Sequence, residues 1–142
     1  MAQHNTGTVK DLARYRLSTA EEDIKDAKTL FGTGAYRASN NRAYYSVFHA
    51  INAIHILNGA SYKKHKDAIA NFNKEYVKTE IFPRTIGRKI ARAEEIRHAS
   101  DYDDFYIATR EEAEQMIATA EEFLTMARGY CEQIMDGREN DE

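Results

Sequence analysis

The sequence predicts an all-α protein: an antiparallel bundle of four longer helices plus one short helix. Apolar residues recur at spacings of three and four over most of the 142 residues, which is the period of amphipathic helices. One proline and seven glycines leave few breaks, and the turns between periodic segments are brief. We therefore expect a single domain, residues 1–142, with a core from about residue 12 to 131 and a polar tail over 136–142.

The first helix is expected over residues 9–31, followed by a turn at Gly32-Thr-Gly34. A start at Ser18 is the alternative, because Ser18 and Glu21 resemble a capping box. The short turn makes the next helix an antiparallel neighbour. The apolar stripe of the first helix consists of Leu17, Ala20, Ile24, Ala27 and Phe31.

The second helix, residues 36–57, is the segment around which the chain is organised. One face is predicted core and contains Tyr44, Val47, Phe48, Ile51 and Ile54. The opposite side mixes polar and apolar residues: Arg42, Tyr45, Ser46, His49, Ala53 and Ile56. A helix with two such faces needs more cover than one small bundle offers. We therefore expect a homodimer, with the side that bears Arg42 and His49 at or near its interface.

A short third helix is expected over residues 65–77, and Phe82-Pro83 then breaks the pattern. Because proline suits a first helical turn, a fourth helix is expected over 83–97. Its inward residues are Ile86, Ile90, Ala93 and Ile96. Its outer side carries a basic ladder that predicts contact with the phosphates of RNA: Arg84, Arg88, Lys89 and Arg92.

Residues 97–106 mix polar and aromatic side chains without a settled period, so we expect a connecting loop there. Thr109 and Glu112 then have the spacing of a capping box. A final long helix to about Met135 follows, with an apolar stripe at helical spacing. The stripe consists of Ala113, Ile117, Ala120, Leu124, Ala127, Cys131 and Ile134.

The net charge of −3 is unevenly distributed. Residues 1–60 carry a net +2, residues 61–98 a net +5, and residues 99–142 a net −10. The middle of the chain can therefore offer a basic surface to RNA or to a nucleotide. The alternative is that this basic region packs beside the acidic last helix and the two neutralise each other.

Several classes of protein are not expected. The single cysteine, Cys131, excludes a disulfide framework and a Cys-rich zinc site. No motif with metal-ligand spacing is present, so we expect neither a metal nor a cofactor. No apolar run approaches the ~20 residues that span a bilayer, and no signal peptide is recognisable. We expect no membrane contact and a cytoplasmic location.

Arg42 and His49 are seven residues apart, which places their Cα atoms about 10 Å apart along the helix. Arginine holds a phosphate through a permanent charge, and histidine titrates near neutrality. Together they suffice for cleavage of RNA without a metal: a base takes the 2′-OH proton while the guanidinium stabilises charge on phosphorus. The alternative is a pair engaged in structural hydrogen bonds.

A second group is Arg97 and His98 with Asp101, Tyr102 and Tyr106. The carboxylate can orient the imidazole or the guanidinium, and a tyrosine hydroxyl can donate to a phosphate. A loop closed by one Arg–Asp pair would have the same residues.

The remaining histidines carry no functional signal in the sequence. His55 lies toward the core side, where a satisfied buried histidine is the expectation. His4 and His65 fall in flexible or loop sequence.

The block Asn41-Arg-Ala-Tyr-Tyr-Ser-Val-Phe-His-Ala50, followed later by Arg97, Asp101 and Tyr102 and by an Ala-rich acidic helix, resembles the HEPN domain superfamily. More narrowly, it is similar to small standalone prokaryotic HEPN proteins encoded beside a minimal nucleotidyltransferase. The resemblance covers roughly residues 12–131. It implies a dimeric helical bundle, frequently the toxin of a toxin–antitoxin pair and frequently a metal-independent endoribonuclease.

The usual catalytic signature of that family is an arginine followed after four to six residues by histidine, near the start of a late helix. Here Arg97 is followed at once by His98, and Tyr102 stands where a spacing of four would place histidine. The only Arg-x6-His pair is Arg42 and His49. Some family members carry a tyrosine that the partner nucleotidyltransferase modifies with AMP, which makes Tyr102 and Tyr106 the candidates here.

The sequence thus predicts a toxin-type HEPN endoribonuclease acting as a homodimer, with a nucleotidyltransferase as antitoxin. The expected catalytic residues are Arg42, His49, Arg97 and His98, supported by Tyr45, Asp101 and Tyr102. The first alternative is a non-catalytic HEPN dimer that binds a nucleotidyltransferase or a nucleotide through the same cleft. The second is a helical scaffold without a ligand.

Overall fold

The structure is a computed structural model that describes the backbone of residues 2–141 and the side chains of residues 9–137. Its helices are α1 (Ala2–Gly32), α2 (Tyr36–Leu57), α3 (His65–Phe72), α4 (Arg84–Tyr102) and α5 (Arg110–Asp141). A π-helix, Asn73–Val77, continues α3. The described backbone contains no strand, so the predicted all-α fold is confirmed.

The second helix is the centre of the bundle, because α2 contacts each of the other four α-helices. Its second side is largely covered by the chain itself: Ser46 and Ala53 are fully buried. The helices α1 and α2 lie close enough for the Ser39 hydroxyl to donate a hydrogen bond to the Ala27 carbonyl at 2.8 Å. The premise that one small bundle cannot cover this side is therefore wrong, and the homodimer stays a prediction without that support.

Helix boundaries at the two ends of the chain differ from the predicted ones. The first helix runs without a break through Ser18, so the alternative start at that residue is wrong. The last helix runs to Asp141, so the polar tail is helical as far as that residue; the side chains of 138–142 lie outside the described residues, as does that of His4. Hydrophobic periodicity reveals the buried part of a helix, so it does not predict how far the helix extends into solvent.

The predicted loop over residues 97–106 is also partly wrong, because α4 continues to Tyr102. The cause is Arg37 of α2, whose guanidinium donates to the carbonyl oxygens of Ser100 at 2.9 Å and Asp103 at 2.8 Å, and also to that of Tyr106. A cation on the last carbonyls stabilises a helix C-terminus. Arg37 lies more than 60 residues before these carbonyls in the chain, so the sequence pattern around residues 97–106 does not reveal it.

The start of α5 follows the predicted capping box. The Glu112 N–H donates to the Thr109 hydroxyl at 3.1 Å, and the Thr109 N–H donates to the Glu112 carboxylate at 3.5 Å. None of the helices in the described part of the chain combines the length and apolarity needed to cross a membrane.

The segment predicted as one helix over 65–77 is α3 with its π-helical continuation. The π-helix lies directly against Gly87 of α4, where an added Cβ would come within 2.7 Å of the Val77 Cγ1 atom. Glycine at this position permits the close approach of the two segments.

Candidate functional site

A buried carboxylate on α1 holds the two predicted site residues of α2. The Asp23 side chain is only 7 % exposed; its Oδ1 lies 3.4 Å from an Arg42 guanidinium nitrogen and its Oδ2 lies 2.8 Å from His49 Nδ1. The two side chains therefore do take part in structural hydrogen bonds. These bonds also orient the imidazole, since they occupy Nδ1 and leave Nε2 for another partner.

On α4, Arg97 and Asp101 form an ion pair at 3.4 Å, one helical turn apart. The Arg97 guanidinium lies over the ring of Tyr44 at 4.5 Å, and its side chain is 15 % exposed. Its Nε is buried and has no hydrogen-bond partner among the described residues. The terminal nitrogens of the guanidinium, which contact Asp101 and His65, are charged donors of the kind that bind a phosphate oxygen.

The structure adds His65, a residue for which the sequence carries no functional signal. This residue begins α3, its ring stacks on Phe48 at 3.7 Å, and its Nδ1 lies 3.2 Å from the Tyr44 hydroxyl and 3.4 Å from an Arg97 guanidinium nitrogen. Burial, with smaller contributions from Arg97 and His49, lowers the pKa of His65 below its ordinary value. The imidazole is therefore neutral at neutral pH and able to accept a proton.

Two bridging residues join the α2 pair to the α4 pair. The Asn41 amide oxygen accepts from Arg42 at 3.0 Å, and its amide nitrogen donates to Asp101 at 3.1 Å. The Tyr45 ring lies under the Arg42 guanidinium at 4.8 Å and meets the His65 ring edge-on at 5.4 Å. The structure thus brings Arg42, His49, Tyr45, Arg97 and Asp101 into one contact network, which the sequence could only present as two separate groups.

An open groove of ≈ 780 Å³ lies on one side of this network, between the start of α3 and the end of α4. It is lined by five residues that are basic or aromatic and by three acidic ones: His65, Lys66, Arg97, His98 and Tyr102, and Glu94, Glu95 and Asp103. The rings of His98 and Tyr102 lie 4.9 Å apart. Arg42 and His49 do not line the groove. Both contact the ring of Tyr45, at 4.8 Å and 6.1 Å.

The two tyrosines predicted as modification sites differ in access. Tyr102 is 68 % exposed. The Tyr106 hydroxyl, in contrast, donates a short hydrogen bond to the Glu112 carboxylate. Burial and the neighbouring carboxylate raise the pKa of Tyr106 to about 12. Of these two tyrosines, Tyr102 is the one whose hydroxyl has no hydrogen-bond partner among the described residues.

The basic ladder of α4 is divided between two sides of the helix. Lys89 pairs with Glu122 at 2.9 Å and Arg92 with Glu112 at 3.4 Å, so both are neutralised by α5. Arg84 has an exposed partner, Glu80, at 3.7 Å, and Arg88 has no acidic partner among the described residues. The alternative, in which the basic region is neutralised by the acidic last helix, is therefore correct for Lys89 and Arg92 but not for Arg84 and Arg88.

A family model described as the HEPN domain matches residues 13–130. The chain belongs to the HEPN domain family. Relatives include a UPF0332 protein of Thermotoga maritima, 32 % identical over 87 % of this chain and 93 % of the relative. A protein of Methanocaldococcus jannaschii named "Putative toxin" is 32 % identical over 89 % of this chain and 94 % of the relative.

A solved structure shares the HEPN domain's fold. The crystal structure of TT1696 from Thermus thermophilus matches with a TM-score of 0.70 at 20 % sequence identity. The match covers 82 % of this chain and 96 % of that chain. At this level of identity the likeness concerns the bundle alone.

One arrangement with the family's signature spacing was missed in the sequence. Arg92 and His98 are separated by five residues, which lies within the range of four to six. The structure sets them on different sides of α4: Arg92 pairs with Glu112 of α5, whereas His98 lines the groove beside α3. Within one chain, Arg97 is therefore the arginine that shares a groove with His98.

Asp23 and His65 were also missed, although periodicity held a signal for each. Asp23 lies on the apolar stripe of α1, three residues after Ala20 and four before Ala27, so its carboxylate had to enter the bundle. His65 lies on the inward face of α3, three and seven residues before Ala68 and Phe72. A polar residue on an apolar stripe is a more specific signal than its chemical type alone.

Replacing Asp23 tests its role as the anchor of the network. We expect Asp23→Ala to lower the free energy of unfolding by about 2 kcal/mol, because it leaves two partly buried polar partners unsatisfied. Urea unfolding followed by circular dichroism measures the loss. Asp26→Ala, an exposed carboxylate on the same helix, is the matched control and should change stability by less than about 0.5 kcal/mol. Equal effects of the two substitutions would contradict the role.

The lowered pKa values of two histidines predict how the stability of the protein depends on pH. Burial lowers the pKa of His55 and of His65 below the ordinary 6.5, so the unfolded chain takes up protons first as the pH falls. The free energy of unfolding should therefore decrease as the pH drops below about 6.5, and this loss should level off below the folded pKa values. Urea unfolding between pH 7.5 and about 5.5 measures it, and His65→Asn should flatten the profile. A stability that rises as the pH falls through this window would contradict the assignment.

Proposed function

We propose that this HEPN domain is a toxin-type endoribonuclease that cleaves RNA without a metal ion, with its active site in the groove beside Arg97. The observation that carries the proposal is the pairing of Arg97 with His65, at 3.4 Å, on the wall of a groove that also contains His98 and Tyr102. Relatives named "Putative toxin" support the biological setting.

In the proposed reaction, Arg97 holds a phosphodiester oxygen through a charge-assisted hydrogen bond. Because arginine only donates, Nδ1 is the unprotonated ring nitrogen of neutral His65. When Arg97 turns to the phosphate, Nδ1 takes the proton of the adjacent 2′-OH, whose oxygen then attacks phosphorus while the bond from phosphorus to the 5′ oxygen breaks. His98 is the acid that supplies the proton that the leaving 5′ oxygen needs. The products are a 2′,3′-cyclic phosphate and a 5′-hydroxyl, and Arg97 stabilises the charge that develops on phosphorus.

The other predicted residues have supporting positions in this scheme. Arg42 and His49, anchored by Asp23, would contact a substrate that extends over Tyr45. Asp101 fixes the Arg97 guanidinium. Tyr102, at the mouth of the groove, offers a hydroxyl and an exposed ring face.

Cleavage of RNA in the presence of EDTA tests the proposal. We expect Arg97→Ala and His65→Ala each to lower the rate at least about 100-fold, because each removes a group that acts in the transition state. Arg128→Ala, which removes an arginine paired with Glu21 far along α5, is the charge-matched control and should retain activity.

Further variants identify which groups act. Arg92→Ala retains activity if Arg97 holds the phosphate, and a loss confined to Arg92→Ala would contradict the assignment. Full activity of His65→Ala together with loss in His98→Ala or His49→Ala would move the proton transfer to those histidines. Unchanged cleavage in every one of these variants would remove the groove as the active site.

The second candidate function is a non-catalytic HEPN dimer that binds a nucleotidyltransferase. A specific observation favours it: the turn between α4 and α5 exposes Phe105 at 93 % and Ile107 at 80 %, next to Tyr102. Apolar side chains exposed together are typical of a surface that a partner covers. A nucleotidyltransferase seated on this turn would meet the free hydroxyl of Tyr102 directly.

Modification assays test the second candidate. We expect a cognate nucleotidyltransferase with ATP to transfer AMP to the wild-type chain and to Tyr106→Phe, but not to Tyr102→Phe, because only the Tyr102 hydroxyl is free. Intact-mass spectrometry measures the transfer. Modification that persists in Tyr102→Phe and is lost in Tyr106→Phe would contradict the choice of residue.

A further inference from the structure

Three grooves meet end to end along the seam between α4 and the segment formed by α3 and its π-helix. The first is the groove beside Arg97, and the second, of ≈ 360 Å³, shares Lys66 and Glu94 with it. The third, of ≈ 590 Å³, shares four residues with the second: Asn73, Val77, Gly87 and Ala91. They form one continuous trough, which follows α4 from Arg97 to Arg84, a length of about 20 Å at ~1.5 Å rise per residue.

Small residues on α4 keep the middle of this trough open. The positions that face it are spaced by three and four residues: Arg84, Gly87, Ala91, Glu94 and His98. Gly87 brings the π-helix against α4 because a Cβ there would lie 2.7 Å from Val77 Cγ1. Ala91 is exposed and too short to cover the seam, and the floor beneath is apolar, with Ile69 and Ile90 buried.

The two ends of the trough differ in charge. At the end away from the proposed active site, the third groove is lined by Lys78, Arg84 and Arg88 and by no acidic residue. The ion pair of Arg84 with Glu80 is exposed and long, so it neutralises little of this charge. The opposite end is mixed in charge, because Arg97 lines it together with Glu95 and Asp103. Glu94 lies on the wall that the first and second grooves share, as does Lys66, and therefore between Arg97 and the cationic end.

We propose that this trough binds single-stranded RNA, with one phosphate at Arg97, another at the Lys78, Arg84 and Arg88 end, and a base between them. Glu94 repels a phosphate but accepts hydrogen bonds from an exocyclic amino group, as carried by cytosine or adenine. The apolar floor beside Ala91 receives the face of the base. The proposal rests on the proposed function, because it supplies the path by which RNA reaches the active-site groove.

The position of Glu94 between Arg97 and the cationic end favours single-stranded RNA over other polyanions. An acidic peptide carries its charges on side chains without a flat amino-bearing group for Glu94, and the bases of a duplex pair with each other rather than with protein. A single strand presents phosphates and unpaired bases together. The exposed rings of Tyr102 and His98 at one end add a surface on which a further base can stack.

Equilibrium binding of a short 2′-O-methyl RNA to the full chain tests the trough. This probe lacks the free 2′-OH that the proposed cleavage requires, so binding is measured separately from cleavage. We expect the double variant Arg84→Ala/Arg88→Ala to bind at least tenfold more weakly and to lower the slope of log K against log salt by about one unit. The double variant Lys25→Ala/Lys28→Ala removes the same charge from α1 and should bind within threefold of wild type.

A second pair of variants tests the middle of the trough. Ala91→Phe should weaken binding at least tenfold by filling the place of the base, and thermal melting verifies that this exposed position tolerates the ring. Glu94→Gln should reduce the preference for cytosine- and adenine-containing oligomers over oligouridine. Equal affinity of Ala91→Phe and wild type, or an unchanged base preference in Glu94→Gln, would overturn the placement of a base there.

Three results would overturn the trough as a whole. The first is an equal loss of affinity in the α4 and α1 double variants, which indicates non-specific attraction. The second is competition by polyglutamate as strong as that by RNA, which indicates an acidic protein partner, and the third is equal affinity for duplex RNA.

If Arg84→Ala/Arg88→Ala weakens binding while no form of the protein cleaves RNA, the trough stands and the nuclease falls. If Arg97→Ala abolishes cleavage while the α4 double variant binds normally, the nuclease stands and the trough falls.

Discussion

The burial of α2 on nearly all sides by its own chain is the constraint on which the rest of the structure depends. A central helix that carries Ser39, Asn41, Arg42 and His49 must find a partner for each of these polar groups from a neighbouring helix. The Ala27 carbonyl and Asp23 come from α1, and Asp101 comes from α4. The interactions that satisfy α2 are therefore the same ones that assemble the candidate site.

This origin explains why the site has both rigid and open parts. The arginine and histidine of α2 are restrained by a buried carboxylate, whereas Arg97 and His65 line an open groove. A pre-positioned cation next to a neutral imidazole is the arrangement that general acid–base chemistry at a phosphodiester requires. The two candidate functions use different parts of this region: the groove for RNA, and the exposed turn after Tyr102 for a protein partner.

Ion pairs on one side of the bundle also determine where uncompensated positive charge remains. The acidic face of α5 pairs with Lys28 of α1 and with Lys89 and Arg92 of α4, which removes those cations from competition for an external anion. Arg84 and Arg88, on the opposite side of α4, form the cationic end of the trough with Lys78. A chain with a net charge of −3 can thus present a basic surface on one side only.

The sequence by itself determined the number, order and inward faces of the helices and the capping box at Thr109, because periodicity and capping depend on residues close together in the chain. It also determined membership of the HEPN domain family. Only the tertiary structure decided where α4 ends, since that depends on Arg37, and which groups surround Arg97. Asp23 of α1 contacts His49, 26 residues later in the chain, and His65 of α3 contacts Arg97, 32 residues later. No local pattern encodes such contacts; they follow from how the helices pack around α2.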